Sequence, residues 1–393
     1  MSYEVHLRVY DRAGTVKIPF LAPLWARWRK SVTAASPLTF ALNEDTAGAN
    51  EIGEYDIIEV MLRNKELGIM IGSNQFARAF VGIVRSRRQD TSNNNVTTKI
   101  FNAPEQKHIL DWRGIMYASG VANRSTYSNL PAETIMKSVV RYNFTADATH
   151  TPGDATSRVR NGDLAIGMQS PITIAADEGR GTTQSASFAF GRVLGVLQRL
   201  AAVSGGDFLF EWQGGSLGGD HEYLFDFRPG QLGSDKSDRA VFGLENQTLQ
   251  QARRQRFGAE GTVAIVGGRN QGIEREISVA EGEAFAAAND IEVFVPATDV
   301  STENGRLSRG QERLREIGEL DELEFEVRQT ADTFYSPVDV NGRNTYDVGD
   351  LVTVSYGGTE VHKVVAATLS WQAPGTGDLL QIQVDTEKYV NVA

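Results

Sequence analysis

The chain has 393 residues, of which 41% are hydrophobic and 23% charged, and its net charge is −11. This length exceeds one typical core, so two or three domains are expected, and no apolar run approaches the roughly 20 residues that span a bilayer. The lack of cysteine excludes disulfides, thiolate chemistry and cysteine-ligated metals, and predicts a protein made in the cytoplasm. The acidic balance argues against a sequence-reading DNA binder, which would need a basic stripe.

Residues 1–125 are predicted to form a β-rich domain. Residues 3–10 alternate in the manner of a strand, and residues 25–32 and 38–42 are predicted to pair as later strands. Further strands are predicted at residues 56–63, 67–71, 76–85, 96–101 and 109–112. The polar stretches 43–50 and 90–95 are predicted to be surface loops.

Residues 126–319 are predicted to form a mixed α+β middle region. Helical spacing of apolar residues predicts helices at residues 129–142, 187–200 and 307–317, the second ended by Gly205 and Gly206. Residues 207–212 and 222–227 predict a hairpin, and residues 262–266 a buried strand. Residues 145–187 are rich in Thr, Gly, Asp and Arg without periodicity, which predicts a long loop.

Residues 320–393 are predicted to form a second β domain. Gly357-Gly358 lies between β-branched runs and is typical of a hairpin turn. Strands are predicted at residues 322–327, 351–356, 361–366, 368–371 and 379–384, the last with Leu380, Ile382 and Val384 on a buried face. The fold class is therefore β-rich α+β, with two small β-barrel-like domains flanking a mixed middle region.

Residues with the spacing of a catalytic or metal site are scarce. The chain has no phosphate-binding loop, dinucleotide glycine fingerprint or zinc-protease motif. Asp220, His221 and Glu222 are adjacent, and on a strand adjacent side chains point to opposite faces, so a metal site is disfavoured. The acidic pairs Asp207/Glu211 and Asp226/Glu222 are interpreted as the wet face of a hairpin rather than glycosidase carboxylates. The sequence predicts no enzyme and no cofactor.

The basic cluster of Arg253, Arg254 and Arg256 is predicted to have an intermolecular role. It lies between a mixed apolar and polar stretch and Phe257-Gly258. We interpret it as a solvated face or an ion-pair patch between subunits, because it lacks the spacing of a phosphate site.

The order of these parts resembles the siphophage tail-hub proteins of long-tailed bacteriophages. The resemblance is carried by residues 5–14, 36–42, 57–63 and 80–84, the helix before Gly205-Gly206, the hairpin at 208–227 and the closing segment 348–354. The long loop at 145–187 is a departure from the family.

This resemblance implies a homotrimer at the distal end of the tail, in the virion. Two barrel-like hub domains per subunit would give six similar barrels per ring, matching a six-fold tail tube above and a three-fold tip below. The implied partners are the distal tail protein and tail tube, the tape measure protein, and tail-tip or receptor-binding proteins. DNA is implied only in transit through an acidic ring, and no stable membrane insertion is expected.

Two other functions stay open from the sequence. One is a tail-associated peptidoglycan hydrolase that uses an acidic pair of the middle region. The other is a carbohydrate-binding receptor module, for which Trp212, Tyr223 and Tyr335 would be exposed stacking platforms.

Overall fold

The computed structural model describes residues 3–65, 76–92, 96–115, 125–145, 147–148, 172–188, 190–215, 222–282, 285–286, 290–298, 300, 302–330, 333–338, 344–373 and 380–389. The predicted strand at 67–71, most of the predicted loop at 145–187, and Asp220 and His221 lie outside these ranges. Within them, no helix is both long and apolar enough to cross a bilayer.

Strands dominate the described residues. The first twelve are β1 (Tyr3–Tyr10), β2 (Val16–Leu21), β3 (Trp25–Ser31), β4 (Leu38–Asn43), β5 (Ile57–Asn64), β6 (Ala77–Ile83), β7 (Ser86–Thr91), β8 (Thr97–Asn102), β9 (Ser125–Pro131), β10 (Ile172–Ile174), β11 (Thr183–Phe188) and β12 (Gly206–Trp212). The next twelve are β13 (Tyr223–Pro229), β14 (Val241–Gly243), β15 (Leu249–Phe257), β16 (Val263–Gly267), β17 (Ile277–Glu281), β18 (Glu292–Pro296), β19 (Leu320–Val327), β20 (Thr333–Tyr335), β21 (Asn344–Tyr346), β22 (Leu351–Ser355), β23 (Thr359–Gln372) and β24 (Gln381–Lys388). The helices are α1 (Ala132–Phe144), α2 (Val193–Ser204) and α3 (Glu303–Glu316), with 3₁₀ turns at Gln106–Asp111 and Gly272–Glu274.

One ten-stranded sheet joins the two ends of the chain. Its strands run β15-β19-β24-β23-β3-β4-β8-β7, and β22 also pairs with β23 and carries β14 at its other edge. The join is the antiparallel pair β3–β23, where Trp28 lies opposite Leu369 and both are buried. Pairing these strands covers edges that would stay open in two separate domains.

This pairing bears on the expected layout of two barrel-like domains on either side of a middle region, which it does not confirm. Across the described residues, strand pairing closes no sheet into a barrel. Strand β15, which belongs by residue number to the predicted middle region, pairs with β19 of the C-terminal segment. The β-rich α+β class is confirmed, whereas the division at residues 125 and 319 stays a prediction.

A four-stranded sheet, β2-β1-β5-β6, packs against the ten-stranded sheet. Alternation along β1 sends Val5, Leu7 and Val9 inward, where they share a core with Trp28 and Leu369. The predicted strand alternation of this segment is confirmed, and the largest hydrophobic core thus combines residues from both ends of the chain.

The helices α1 and α2 pack on the β12–β13 hairpin in a second core. Helix α1 begins after Pro131 rather than at residue 129, because the preceding residues form β9 and pair with β11. Helix α2 begins at Val193 rather than at residue 187, because residues up to Phe188 form β11 and Arg192 is bridged to Gly114. Gly205 ends this helix in the left-handed conformation with φ of 63°. The hairpin matches its prediction, with Phe210 opposite Phe225.

The third core is small. Helix α3 covers one face of the sheet β17-β16-β18, in which β16 pairs antiparallel with β17 and parallel with β18. The predicted buried strand at 262–266 is therefore the centre of this sheet.

Four local predictions are wrong. The long loop predicted at 145–187 contains two strands within its described residues, because β10 pairs with β13 and β11 with β9. The segment predicted as a strand at 109–112 falls largely in the 3₁₀ turn Gln106–Asp111, where the backbone N–H of Trp112 donates to the carbonyl of Ile109 three residues earlier instead of to a neighbouring strand. Asp90 and Thr91, predicted to lie in a loop, belong to β7. Two predicted C-terminal strands, 361–366 and 368–371, are one long strand, β23.

Candidate functional site

The three arginines of the predicted patch lie on β15, which occupies one end of the ten-stranded sheet. On this strand Arg253 pairs with Glu324 and Arg256 with Asp321 of β19. Because side chains alternate along a strand, Arg253 points away from the face that carries Arg254 and Arg256. The structure therefore divides the predicted patch between two faces.

On the first face, Arg254 holds three strands together. Its Nε donates to Oδ1 of Asp321 at 2.8 Å, and its Nη2 donates to Oε2 of Glu360 at 2.7 Å. Arg256 reaches the same Asp321 at 3.1 Å, and Lys388 donates to Glu360 at 2.8 Å. These residues lie on β15, β19, β23 and β24, so the pairs serve the fold of the subunit itself.

The charges of this ion-pair network lower the pKa of both carboxyl groups. Hydrogen bonds from Arg254 lower the pKa of Asp321 to about 2. The hydrogen bond from Lys388, opposed by partial burial and aided by Arg254, lowers the pKa of Glu360 to about 2. Both acids stay ionised at neutral pH and fix the arginine in place.

On the second face, Arg253 lines a polar groove of about 490 Å³ that crosses β15, β19, β24, β23 and β3. Among its lining side chains, Arg27, Arg253 and Glu326 make no ion pair with any described residue. Beside the groove, Arg29 and Asp385 are joined at 2.6 Å. The groove is thus a polar sheet face on which these three charges have no ion-pair partner among the described residues, while Glu324 accepts a hydrogen bond from Gln383.

A second charged region, which the sequence did not predict, lies where the long sheet meets the β12–β13 hairpin. We call it the lysine seam, and it consists of four pairs. Three are buried, Lys107–Glu105 at 2.9 Å, Lys236–Asp350 at 3.0 Å and Lys363–Asp207 at 2.8 Å, and the fourth, Lys30–Asp347 at 2.5 Å, is half-buried. Most of these residues border a cavity of about 580 Å³. Burial raises the pKa of Glu105 and of Asp207 although each touches a lysine.

The lysine seam corrects the interpretation of the hairpin carboxylates. Asp207 is buried rather than wet, and it accepts hydrogen bonds from Lys363 and from the backbone N–H of Leu232. Asp226 is also buried, and Lys137 and Arg180 each lie 2.9 Å from its Oδ1. Since cations hold both acids within the fold, their geometry does not support a glycosidase pair.

Arg180 and Lys137 also hold Glu133 at the start of α1. Burial alone would raise the pKa of Glu133, but hydrogen bonds from Arg180 and Lys137 lower it to about 2. The cluster ties α1 to β13 through the segment that precedes β11. It is a structural connection between elements of the second core.

The aromatic residues expected to form a sugar platform are buried. Trp212, Tyr223 and Tyr335 are each at most 1% exposed, so they cannot stack on a carbohydrate. Of the adjacent residues Asp220, His221 and Glu222, Glu222 accepts a hydrogen bond from Thr173, and the other two lie outside the described ranges. The described residues contain no group of three or more potential metal ligands.

Comparison with known proteins identifies the family. Residues 51–380 match the family described as Siphovirus ReqiPepy6 Gp37-like protein. Because the match covers most of the chain, the protein belongs to this siphovirus family, and the predicted resemblance to siphophage tail proteins is confirmed. No curated protein matches the sequence.

Solved structures of phage tail proteins share the fold. The 43 kDa tail protein of prophage MuSo2 from Shewanella oneidensis aligns with a TM-score of 0.58 and 14% identity, covering 98% of each chain. The tail protein from Neisseria meningitidis MC58 aligns with a TM-score of 0.58 and 10% identity over 99% of this chain and 97% of that one. Prophage tail protein gp18 from Listeria monocytogenes EGD-e gives 0.50 and 9%, over 97% and 94%. Family and fold together support a structural role in a phage tail.

Proposed function

We propose that the protein is a tail-hub protein, which forms a trimeric ring at the distal end of the tail and acts without catalysis. The ring adapts the six-fold tail tube to a three-fold tip and lets DNA pass. Support comes from membership of the siphovirus family and from the fold shared with tail proteins over nearly the whole chain.

The observation that best supports a ring of subunits is the polar groove beside β15, the outer strand of the ten-stranded sheet. No described strand pairs with the outer edge of β15, and Arg27, Arg253 and Glu326 have no ion-pair partner in the described chain. In the ring, this face contacts the neighbouring subunit, and oppositely charged groups there complete the pairs. Arg254 and Arg256 act indirectly, because they hold β15 in place.

Other partners follow from a position at the tail tip. The ring contacts the distal tail protein and tail tube on one side, and tail-tip or receptor-binding proteins on the other, with the tape measure protein inside. The net charge of −11 keeps a DNA strand from adhering to the ring as it passes.

The ring is tested by measuring particle mass. Purified protein is mixed with the distal tail protein of the same phage, and the number of copies per particle is counted by mass photometry. We expect three copies or a multiple of three. Arg253→Glu should weaken ring formation in a salt-dependent way, because a charge reversal at a rim contact is screened by ions.

The matched control is Arg313→Glu, which reverses an arginine of comparable accessibility on α3, away from the groove. If rings form equally well with Arg253→Glu and with Arg313→Glu, the groove is not part of the subunit interface. A particle with two or four copies would contradict the proposed trimeric ring.

A further inference from the structure

The sheet β17-β16-β18 has one covered face and one uncovered face. A Cβ atom placed on Gly310 of α3 would meet Ala264, Val266 and Ala280, so these three side chains face the helix. Ser278, Val293 and Val295 lie opposite these residues in register and share the covered face, whereas alternation puts Ile265, Ile277, Val279 and Phe294 on the opposite face.

This opposite face is apolar. Ile277, Val279 and Phe294 are 51%, 54% and 55% exposed, and Ile265 lies between the last two in register. We call these four residues the outer face. Contiguous exposed apolar residues on a soluble protein are typical of a contact surface.

Opposite charges lie at the two ends of the outer face. At one end, Glu281 and Glu292 flank Val263 in the sheet register. At the other end, the guanidinium of Arg275 lies 5.3 Å from the ring centroid of Phe294, and both side chains lie over Gly267, where a Cβ would come within 3.0 Å of them. None of these three charges forms an ion pair with a described residue, and Nε of Arg275 is buried without a hydrogen-bond partner.

A two-fold rotation makes this surface complementary to itself. If the axis runs across the strands through the row of Val279, Ile265 and Phe294, each residue of that row meets its own copy. The strands of the two sheets then run antiparallel, and Arg275 of each copy comes to the acidic end of the other. An isologous contact of this kind requires only one patch per subunit.

We propose that the outer face is the contact surface of a two-fold dimer of the free protein, with Arg275 opposite Glu281 and Glu292 of the second copy. A two-fold contact of this face cannot be repeated around a three-fold ring. The dimer therefore goes beyond the proposed function, and it is a state that exists before or apart from ring assembly.

The size of the outer face makes the dimer weak. Three strands spaced about 4.8 Å apart, each contributing about five residues of about 3.3 Å, give a face of roughly 250 Å². A stable interface buries about 800 Å² per partner. The expected dimer is reversible, which leaves the subunits available for other assemblies.

Charge reversal tests the pairing across the two-fold axis. Sedimentation velocity over a range of protein concentrations should show monomers and dimers for the wild type. Arg275→Glu should raise the dissociation constant by about tenfold or more, because like charges then face each other. Adding Glu281→Arg and Glu292→Arg should restore it, while Arg253→Glu, which affects the proposed ring contact, should leave the dimer unchanged.

Cross-linking tests the geometry without depending on Arg275. The chain lacks cysteine, so Val279→Cys introduces a unique thiol on the two-fold row. A short bismaleimide should link two copies much faster than for Leu244→Cys, whose native side chain is 57% exposed, close to the 54% of Val279. A protein that stays monomeric at all concentrations, equal linking of the two variants, or a charge-reversed triple variant that fails to dimerise would each overturn the proposal.

Discussion

The lysine seam, through pairs such as Lys363–Asp207, and the ion-pair network of β15 both join segments that are distant in sequence, but they differ in burial. In the seam, the side chains of Asp207 and Lys363 are 3% and 10% exposed. In the network, Arg254 is 13% and Asp321 22% exposed, and Arg256 is 68% exposed. Ion pairs between a basic side chain and an aspartate therefore meet different surroundings in the two regions.

The difference determines what each region can do. A buried pair is desolvated on both sides, so loss of one partner leaves a charge that nothing screens. A pair at the surface contributes little, because water and salt replace most of its attraction. We conclude that the seam holds the long sheet to the β12–β13 hairpin, whereas β15 presents charges at an edge where another chain can reach them.

The largest expected effect is in the lysine seam. Lys363→Ala should lower the free energy of unfolding by about 3–5 kcal/mol, because Asp207 stays buried without its cation. Urea denaturation measures this change. The double variant Asp207→Asn with Lys363→Met should recover most of the loss, since asparagine keeps the hydrogen bond from Leu232 and no charge remains. If the double variant were as unstable as the single one, packing rather than charge would explain the loss.

The next largest effect concerns the join between the chain ends. Leu369→Ala removes a buried side chain opposite Trp28 and should lower the free energy of unfolding by about 2–5 kcal/mol. Because both ends share one core, urea unfolding followed by tryptophan fluorescence and by circular dichroism should shift together in the variant. Separate transitions for the two signals would show that the ends unfold independently.

These two sites also show what the sequence could and could not predict. Alternation is local, so β1, the β12–β13 hairpin and the buried face of β24 were all predictable. The pair Trp28–Leu369 depends on contact between segments more than 300 residues apart, which no local pattern shows. A lysine that will be buried, such as Lys363, has the same local sequence pattern as one that stays in water.

The candidate site was only partly predictable from the sequence. The cluster of Arg253, Arg254 and Arg256 was noticed as a basic run, but its strand was not predicted. Had residues 249–257 been assigned as a strand, alternation would have separated Arg253 from the other two. The partners Asp321 and Glu360 were again beyond local prediction, because they come from β19 and β23.

A smaller, pH-dependent effect is expected for Arg254. The pKa values of Asp321 and Glu360 are lowered to about 2 in the folded protein, so their contribution is present above the unfolded pKa values and is lost as pH falls towards 2. Arg254→Met should therefore lower stability by about 1 kcal/mol at pH 7, and the difference from wild type should shrink towards zero near pH 2. Urea titrations at several pH values measure it. A difference that did not change with pH would mean that Arg254 stabilises by packing alone.

The smallest effect on stability is expected for Arg253, although it is adjacent to Arg254. Arg253 is exposed and has no ion pair with the described residues, so Arg253→Ala should change the free energy of unfolding by less than about 0.5 kcal/mol at any salt concentration. Urea midpoints of the Arg253→Ala and Arg254→Ala variants, measured at low and high salt, make the comparison. A loss from Arg253→Ala as large as that from Arg254→Ala would mean that the groove is part of the fold. A neutral result for stability combined with impaired ring formation would assign the charge of Arg253 to another subunit.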